Sequence, residues 1–157
     1  MKSNFVRSLL VLGAVLVVTL VPLQADAACS NASAAGNWAY TYTGTIFTLN
    51  GPLPAASVGH FKLDAGGNIA GSQNRSVAGQ SGLEDTSGTI SVNSDCTASA
   101  TINVLVNGQL LRTAALALVF DSSGNHVRAI FQSLTLPDGT NVPVVITVDG
   151  NRMTVRD

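Results

Sequence analysis

The chain of 157 residues is short of charge, of histidine and of cysteine. Only 11% of its residues are charged, and its formal net charge at pH 7 is −1. Nucleic acids and anionic membrane surfaces are bound by basic faces, so this charge balance argues against either partner. The two distant cysteines, Cys29 and Cys96, and two isolated histidines match no metal-ligand spacing. We therefore expect no metal and no cofactor.

Motifs for catalysis are equally scarce. No serine lies in a Gly-x-Ser-x-Gly elbow. Glu84 and Asp85 follow a flexible segment, residues 79–82, and adjacent side chains of an extended chain point in opposite directions, so the pair is poorly arranged for acid–base chemistry. His126 and Asp121 lie on either side of a predicted turn. We expect no catalytic residues.

One long apolar run is present, and it lies at the N-terminus. Lys2 and Arg7 precede an uncharged stretch, residues 8–25, and Ala25-Asp26-Ala27 supplies small residues at the −3 and −1 positions. This is the pattern of a secretory signal, so we expect cleavage after Ala27 and a single secreted or periplasmic domain, residues 28–157, without an integral membrane span. An uncleaved anchor and a lipoprotein acylated on the nearby cysteine are the alternatives.

Both cysteines belong to the predicted mature chain. Two cysteines in an exported domain most simply pair with each other, so we expect a Cys29–Cys96 disulfide.

The rest of the chain contains no helical periodicity. Apolar residues alternate instead, which predicts strands separated by short turns rich in Gly, Asn and Asp. The predicted strands cover residues 37–49, 58–64, 68–77, 86–93, 96–106, 110–120, 126–136 and 141–148, with a stub at 153–156. Eight or nine such strands indicate an all-β antiparallel meander. Closing it into a barrel would protect its edges, and a β-sandwich is the alternative.

Two of the turns share an apolar-Asp-x-x-Gly-Asn frame, at 63–68 and 120–125. If Leu63 pairs with Ile69, the same pairing sets Phe120 opposite His126 and brings Arg128 toward the lumen. Arg112, Gln132, Gln73 and Arg75 would then face inward with Arg128. The opposite assignment, with the small Ala and Val residues of 113–119 inside, stays open. Both faces of this strand pair are largely apolar, so we expect the outer face to promote self-association.

Two segments resemble known families. Residues 88–97, Gly-Thr-Ile-Ser-Val-Asn-Ser-Asp-Cys-Thr, resemble a hairpin of small exported bacterial proteins that look like calycin or allene-oxide-cyclase-type barrels, although Ile90 and Ala98 stand where an aromatic residue and a glycine are common. Gly36-Asn37-Trp38 is similar to the Gly-x-Trp opening of lipocalins. That resemblance implies that Trp38 closes the base of a barrel beneath an arginine from a late strand, either Arg152 or Arg156. A shared fold of this kind transfers little function.

The favoured function is non-catalytic binding of a small apolar or amphipathic ligand in the barrel. A buried Arg128 without a carboxylate partner would favour a carboxylate-bearing guest. The segments 50–57 and 84–86 are the predicted loops at the lip. The alternatives are a structural or interaction protein with a fully packed barrel and a barrel cyclase or isomerase. The candidate ligand contacts are Trp38, Tyr40, Tyr42, Phe61, Gln73, Phe120, Arg128 and Gln132.

Overall fold

A computed structural model describes residues 29–154 of the chain, so the predicted signal peptide, residues 1–27, lies outside the described part. One short helix precedes eight strands: α1 (Asn31–Ala34), β1 (Gly36–Thr48), β2 (Gly51–Leu63), β3 (Asn68–Val77), β4 (Gln80–Val92), β5 (Thr97–Val106), β6 (Gln109–Phe120), β7 (His126–Thr135) and β8 (Val144–Arg152). Each strand pairs antiparallel with the next, and β8 pairs with β1. The predicted closed meander is therefore confirmed. Across residues 29–154, no helix has the length and apolar character needed to span a membrane.

Tight turns form one end of the barrel, which we call the rim. Residues 49–50 join β1 to β2, 78–79 join β3 to β4, and 107–108 join β5 to β6. Ala78 and Gly79 have φ of 48° and 84°, and Asn107 and Gly108 have φ of 53° and 77°. Two successive positive φ angles match the twist of a two-residue hairpin, and Asn and Gly adopt them most readily. The predicted lip segment 50–57 is mostly strand β2, so that prediction was wrong.

The opposite end, the base, is closed by Trp38, whose exposed fraction is 0%. Its indole Nε1 donates to the carbonyl of Ala34 at 3.0 Å. The Arg152 guanidinium lies 5.2 Å from the centroid of the Trp38 ring, in cation–π geometry. Arg152 also donates to three backbone carbonyls, those of Ser33, Ala35 and Gly124. The arginine-over-tryptophan arrangement that the lipocalin resemblance implied is thus present, with Arg152 in the role.

The predicted Cys29–Cys96 disulfide is present at the same end, with a Cα–Cα distance of 5.0 Å. It attaches the segment before α1 to the turn between β4 and β5. The side-chain oxygen of Asn31 also accepts a hydrogen bond from the backbone N–H of Val92 at 2.9 Å, which is a second link, to β4. The N-terminal segment is thereby fastened across the base.

The register of β6 and β7 differs from the prediction. Leu63 pairs with Ile69 as expected, but Phe120 pairs with Val127. The cause is the turn, because Asp121 N–H donates to the carbonyl of His126, whereas Asp64 N–H donates to that of Asn68, one residue nearer. A slip of one residue turns every side chain of a strand to the other face.

The consequences for β7 are direct. Val127 is buried, while the Arg128 side chain is 79% exposed on the outer wall. Further along, Ala115 pairs with Ser133 but Leu116 pairs with Phe131, so Gln132 is the extra residue of a β-bulge and is exposed. The predictions that Arg128 and Gln132 face the lumen were therefore wrong. The inward face of β6 was predicted correctly, from Phe120 back to Arg112.

Candidate functional site

The barrel encloses a cavity of about 120 Å³. Side chains from all eight strands line it, and most of them are aliphatic or aromatic. The cavity reaches from Leu63 and Phe120, which lie next to Trp38 at the base, to Ile46 and Arg75 nearer the rim. A small, mainly apolar space thus lies between Trp38 at the base and the rim.

A buried polar cluster faces this cavity, which we call the Glu84 cluster. It consists of Tyr40 on β1, Gln73 and Arg75 on β3, Glu84 on β4 and Arg112 on β6. The side chain of Glu84 is 2% exposed, that of Arg112 is 12% exposed and that of Arg75 is 29% exposed. The charged members lie in the halves of their strands nearer the rim, and both arginines are more exposed than the carboxylate.

Glu84 is held by three side chains. Arg112 grips it with both terminal nitrogens: Nη1 donates to Oε1 at 2.9 Å and Nη2 donates to Oε2. Gln73 Nε2 donates to Oε2 at 2.7 Å. Arg75 Nε lies 3.0 Å from Oε1, which is ion-pair distance. Two-pronged arginine–carboxylate pairs of this kind are strong and fix both partners in place.

Arg75 differs from Arg112 in its hydrogen bonding. Its Nε is buried, yet within residues 29–154 that N–H is aligned with no acceptor, the nearby carboxylate of Glu84 included. Arg75 Nε is thus close enough to Glu84 for an ion pair, but its N–H does not point at the carboxylate oxygen and makes no hydrogen bond to it. Arg75 is therefore bound to Glu84 less tightly than Arg112 is.

The network continues along the inner wall from β3 to the neighbouring strands β2 and β1. Tyr40 donates from its hydroxyl to Gln73 Oε1 at 2.8 Å. The Ser57 hydroxyl lies 3.3 Å from the same oxygen and donates to the carbonyl of Asn74 at 3.0 Å. The amide of Gln73 is thus bonded on both its oxygen and its nitrogen side, which fixes its orientation. A continuous polar chain links β1, β3, β4 and β6.

The protonation states of the cluster follow from these contacts. Burial raises the pKa of Glu84, but hydrogen bonds from Arg112 and Gln73 and the charges of both arginines outweigh burial and hold that pKa below its ordinary value. Burial raises the pKa of Tyr40 far above its usual range, and the neighbouring Tyr42 and Glu84 raise it further. At neutral pH the cluster therefore holds one carboxylate, two guanidinium groups and a neutral phenol. Its net charge is positive.

The sequence-predicted contacts divide into three groups. Tyr40, Tyr42, Phe61, Gln73 and Phe120 line the cavity as expected. Trp38 lies beneath it, stacked on Phe61 with centroids 6.2 Å apart and edge-on to Phe120 at 5.6 Å, so it supports the floor. The other two, Arg128 and Gln132, lie on the outer wall of β7 and do not reach the cavity.

Glu84 is the residue that the sequence analysis missed. Strand β4 begins at Gln80, not at 86, so the predicted lip segment 84–86 lies within the strand. Because side chains alternate, the buried Ile90 places Glu84 and Thr86 on the inner face and Asp85 outside. Counting back by twos from Ile90 would have found it.

A second polar group lies on the outer wall. His126 Nε2 is 2.9 Å from Asp149 Oδ2, and Arg128 Nε is 3.9 Å from the same oxygen. The side chains of Arg128 and Asp149 are 79% and 54% exposed, and that of His126 is partly buried. Over residues 29–154, no three His, Cys, Asp or Glu side chains are grouped closely enough to hold a metal ion.

Comparison with known proteins supports the fold alone. The sequence matches no protein-family profile and no curated protein. Among solved structures, it is similar to one described as a redesigned beta barrel, with a TM-score of 0.50 and 16% sequence identity. The match covers 79% of this chain and 95% of that chain. At such low identity, the likeness extends to the barrel architecture and not to a ligand or an activity.

Proposed function

We propose that the protein is an exported barrel that binds one small, mainly apolar ligand in its lumen without catalysing a reaction. The observation that carries this proposal is the cavity of about 120 Å³, apolar on most sides and polar at the Glu84 cluster. A dry engineered cavity of about 150 Å³ accepts benzene, so a space of this size suits a single aromatic ring or a short aliphatic chain. Ligand sites typically combine such apolar walls with a few placed polar groups.

Two features favour binding over the alternatives. A cyclase or isomerase needs an acid or base free to exchange protons, whereas Glu84 is ionised and engaged by three neighbours. A structural role predicts a barrel filled with side chains, whereas small residues such as Ala100 and Ala114 leave space at the centre. The disulfide is consistent with the oxidising compartment that the predicted signal peptide implies.

Native mass spectrometry of the protein purified from its own host tests this proposal. We expect a bound species with an added mass on the order of 100–200 Da, because the cavity holds about one ring. The same spectrum gives the N-terminus of the mature chain and the number of subunits. A protein that carries no adduct and also fails to take up added toluene would contradict the binding function.

A further inference from the structure

We propose that the ligand carries an anionic head, most simply a carboxylate, and that Arg75 receives it. This inference rests on the proposed binding function and adds the chemical class of the guest. The juxtaposition that carries it is a weakly engaged arginine beside an apolar cavity, in a cluster whose other arginine is fully engaged by the same carboxylate.

The first step is the charge of the cluster. Glu84 is the carboxylate that neutralises it, and two guanidinium groups share that carboxylate. The next acidic residue along β4, Asp85, points to the outer wall. One positive charge in a largely buried site is thus left without a counter-ion among residues 29–154. A second anion in the cavity would complete the neutralisation and would be held more strongly there than in water.

The second step is geometry. Arg112 uses both terminal nitrogens on Glu84, so it cannot turn to a guest without breaking two hydrogen bonds. Arg75 touches Glu84 only from the side, through Nε, and lines the cavity. Its terminal nitrogens make no hydrogen bond to a protein acceptor within the described chain. They form the fork that binds a carboxylate in two-pronged fashion. Arg75 is the binding residue, and Arg112 is a positioning residue for Glu84.

The third step is the body of the guest. Past the cluster, the walls toward the base are carbon, from Phe61 and Ile69 to Leu116 and Phe120. A molecule whose carboxylate meets Arg75 would therefore place its apolar part between these side chains and the Trp38 floor. The volume limits that part to about one aromatic ring or a chain of similar size. Aromatic acids and short fatty acids fit this description.

A matched series of probes tests the inference: toluene, benzamide and benzoate. They share a ring and differ in the head, which is absent, neutral or anionic. Binding is followed by NMR through the methyl groups of Leu116 and Ile69, for the natural protein, Arg75→Gln, Arg75→Lys and Arg128→Gln. Arg128 is the control because it is an arginine on the outer wall. Urea denaturation shows that each variant is folded.

We expect benzoate to bind at least tenfold more tightly than benzamide, and its affinity to fall with added salt. Arg75→Gln should weaken benzoate binding tenfold or more and toluene binding far less, Arg75→Lys should keep part of the benzoate affinity, and Arg128→Gln should change neither. Toluene binding with no preference for benzoate over benzamide overturns the inference and leaves the binding function standing. Equal loss of toluene and benzoate in Arg75→Gln, or equal effects of the two Gln variants, also overturns it. Binding of none of the three probes, by a protein that also carries no adduct from its host, refutes the proposed function itself.

Discussion

Replacing Glu84 by Gln removes the negative charge at the centre of the polar cluster and keeps the shape of the side chain. The guanidinium groups of Arg112 and Arg75 then remain in a site that is mostly shielded from water, without their shared carboxylate. The new amide also brings two donors toward Gln73 Nε2 and the arginines, which are donors themselves. The variant is therefore electrostatically and geometrically mismatched.

The size of the effect follows from the burial of the partners. Removing one member of a buried ion pair costs about 3–5 kcal/mol, because the other charge is left uncompensated. Arg112 is 12% exposed and Arg75 is 29% exposed, so solvent screens part of this cost and the lower end applies. We expect Glu84→Gln to lower the free energy of unfolding by about 3 kcal/mol at pH 7.

Urea denaturation from pH 7 down to pH 3 measures how large the contribution of Glu84 to the free energy of unfolding is and in which direction it changes with pH. A carboxyl whose pKa is depressed in the folded state stabilises the fold above its unfolded pKa, near 4.5, and loses that contribution as pH falls through the folded value. The natural protein and Glu84→Gln should therefore differ by a constant amount from pH 7 to about pH 5, and the difference should shrink as the pH falls below the unfolded pKa and through the lower, folded one. Exposed turn carboxylates titrate equally in both proteins and cancel in the difference.

Asp85→Asn is the matched control, since Asp85 is the adjacent carboxylate and faces the solvent. We expect it to change stability by less than about 0.5 kcal/mol. The reasoning is refuted if Glu84→Gln costs no more than this control at pH 7, or if its deficit persists unchanged at pH 3.

Four further predictions concern the rest of the barrel. Replacing Cys29 and Cys96 by Ser should lower the free energy of unfolding by about 4 kcal/mol, because the disulfide joins residues 67 positions apart; loss of under 1 kcal/mol in urea denaturation would contradict this. Gly71→Ala should prevent folding or destabilise by several kcal/mol, since its Cβ would lie 2.1 Å from a backbone oxygen, whereas Gly82→Ala, with nothing within 4 Å, should be tolerated; circular dichroism compares the two. Arg152→Gln should cost about 2 kcal/mol through the lost cation–π contact and hydrogen bonds, and thermal unfolding monitored by tryptophan fluorescence checks it. The exposed apolar residues on the outer wall of β6 and β7 predict a dimer or trimer, and sedimentation showing only monomer at tens of micromolar would contradict it.

Most of the fold was readable from the sequence because its turns carry explicit chemistry. Asp64 and Asp121 accept backbone hydrogen bonds within their turns, and Asn107-Gly108 supplies two positive φ angles. Short turns between alternating strands leave closure as the way to cover every edge. The pairing of the two cysteines followed from their number.

The error came from treating two similar turns as equal in length. Asp121 closes its turn on His126, one residue later than Asp64 does on Asn68. Because a strand alternates every residue, this small difference moved Arg128 to the solvent while leaving the inward face of β6 intact. Sequence alone carried no signal for the slip, since both faces of β7 include apolar residues.

The polar site was only half predictable. Gln73 and Arg112 were predicted to face inward from the turn pairings, and Tyr40 was a candidate ligand contact, but Glu84 was assigned to a loop because Gly and Ser residues precede it. The glycine-rich start does not end this strand, because residues 80–84 continue to pair with β3. Arg112 makes directed hydrogen bonds to Glu84 and Arg75 makes none, and this difference depends on side-chain geometry across three strands that only the structure supplies.

A crystal structure of the protein grown with benzoate tests the central claim most directly, because that claim is that the lumen holds a small guest whose anionic head meets Arg75. We predict one ring between Phe61 and Leu116, with its carboxylate facing the guanidinium of Arg75 and the Glu84–Arg112 pair unchanged. An empty lumen at saturating benzoate, or a ring bound only on the outer wall, would contradict the account.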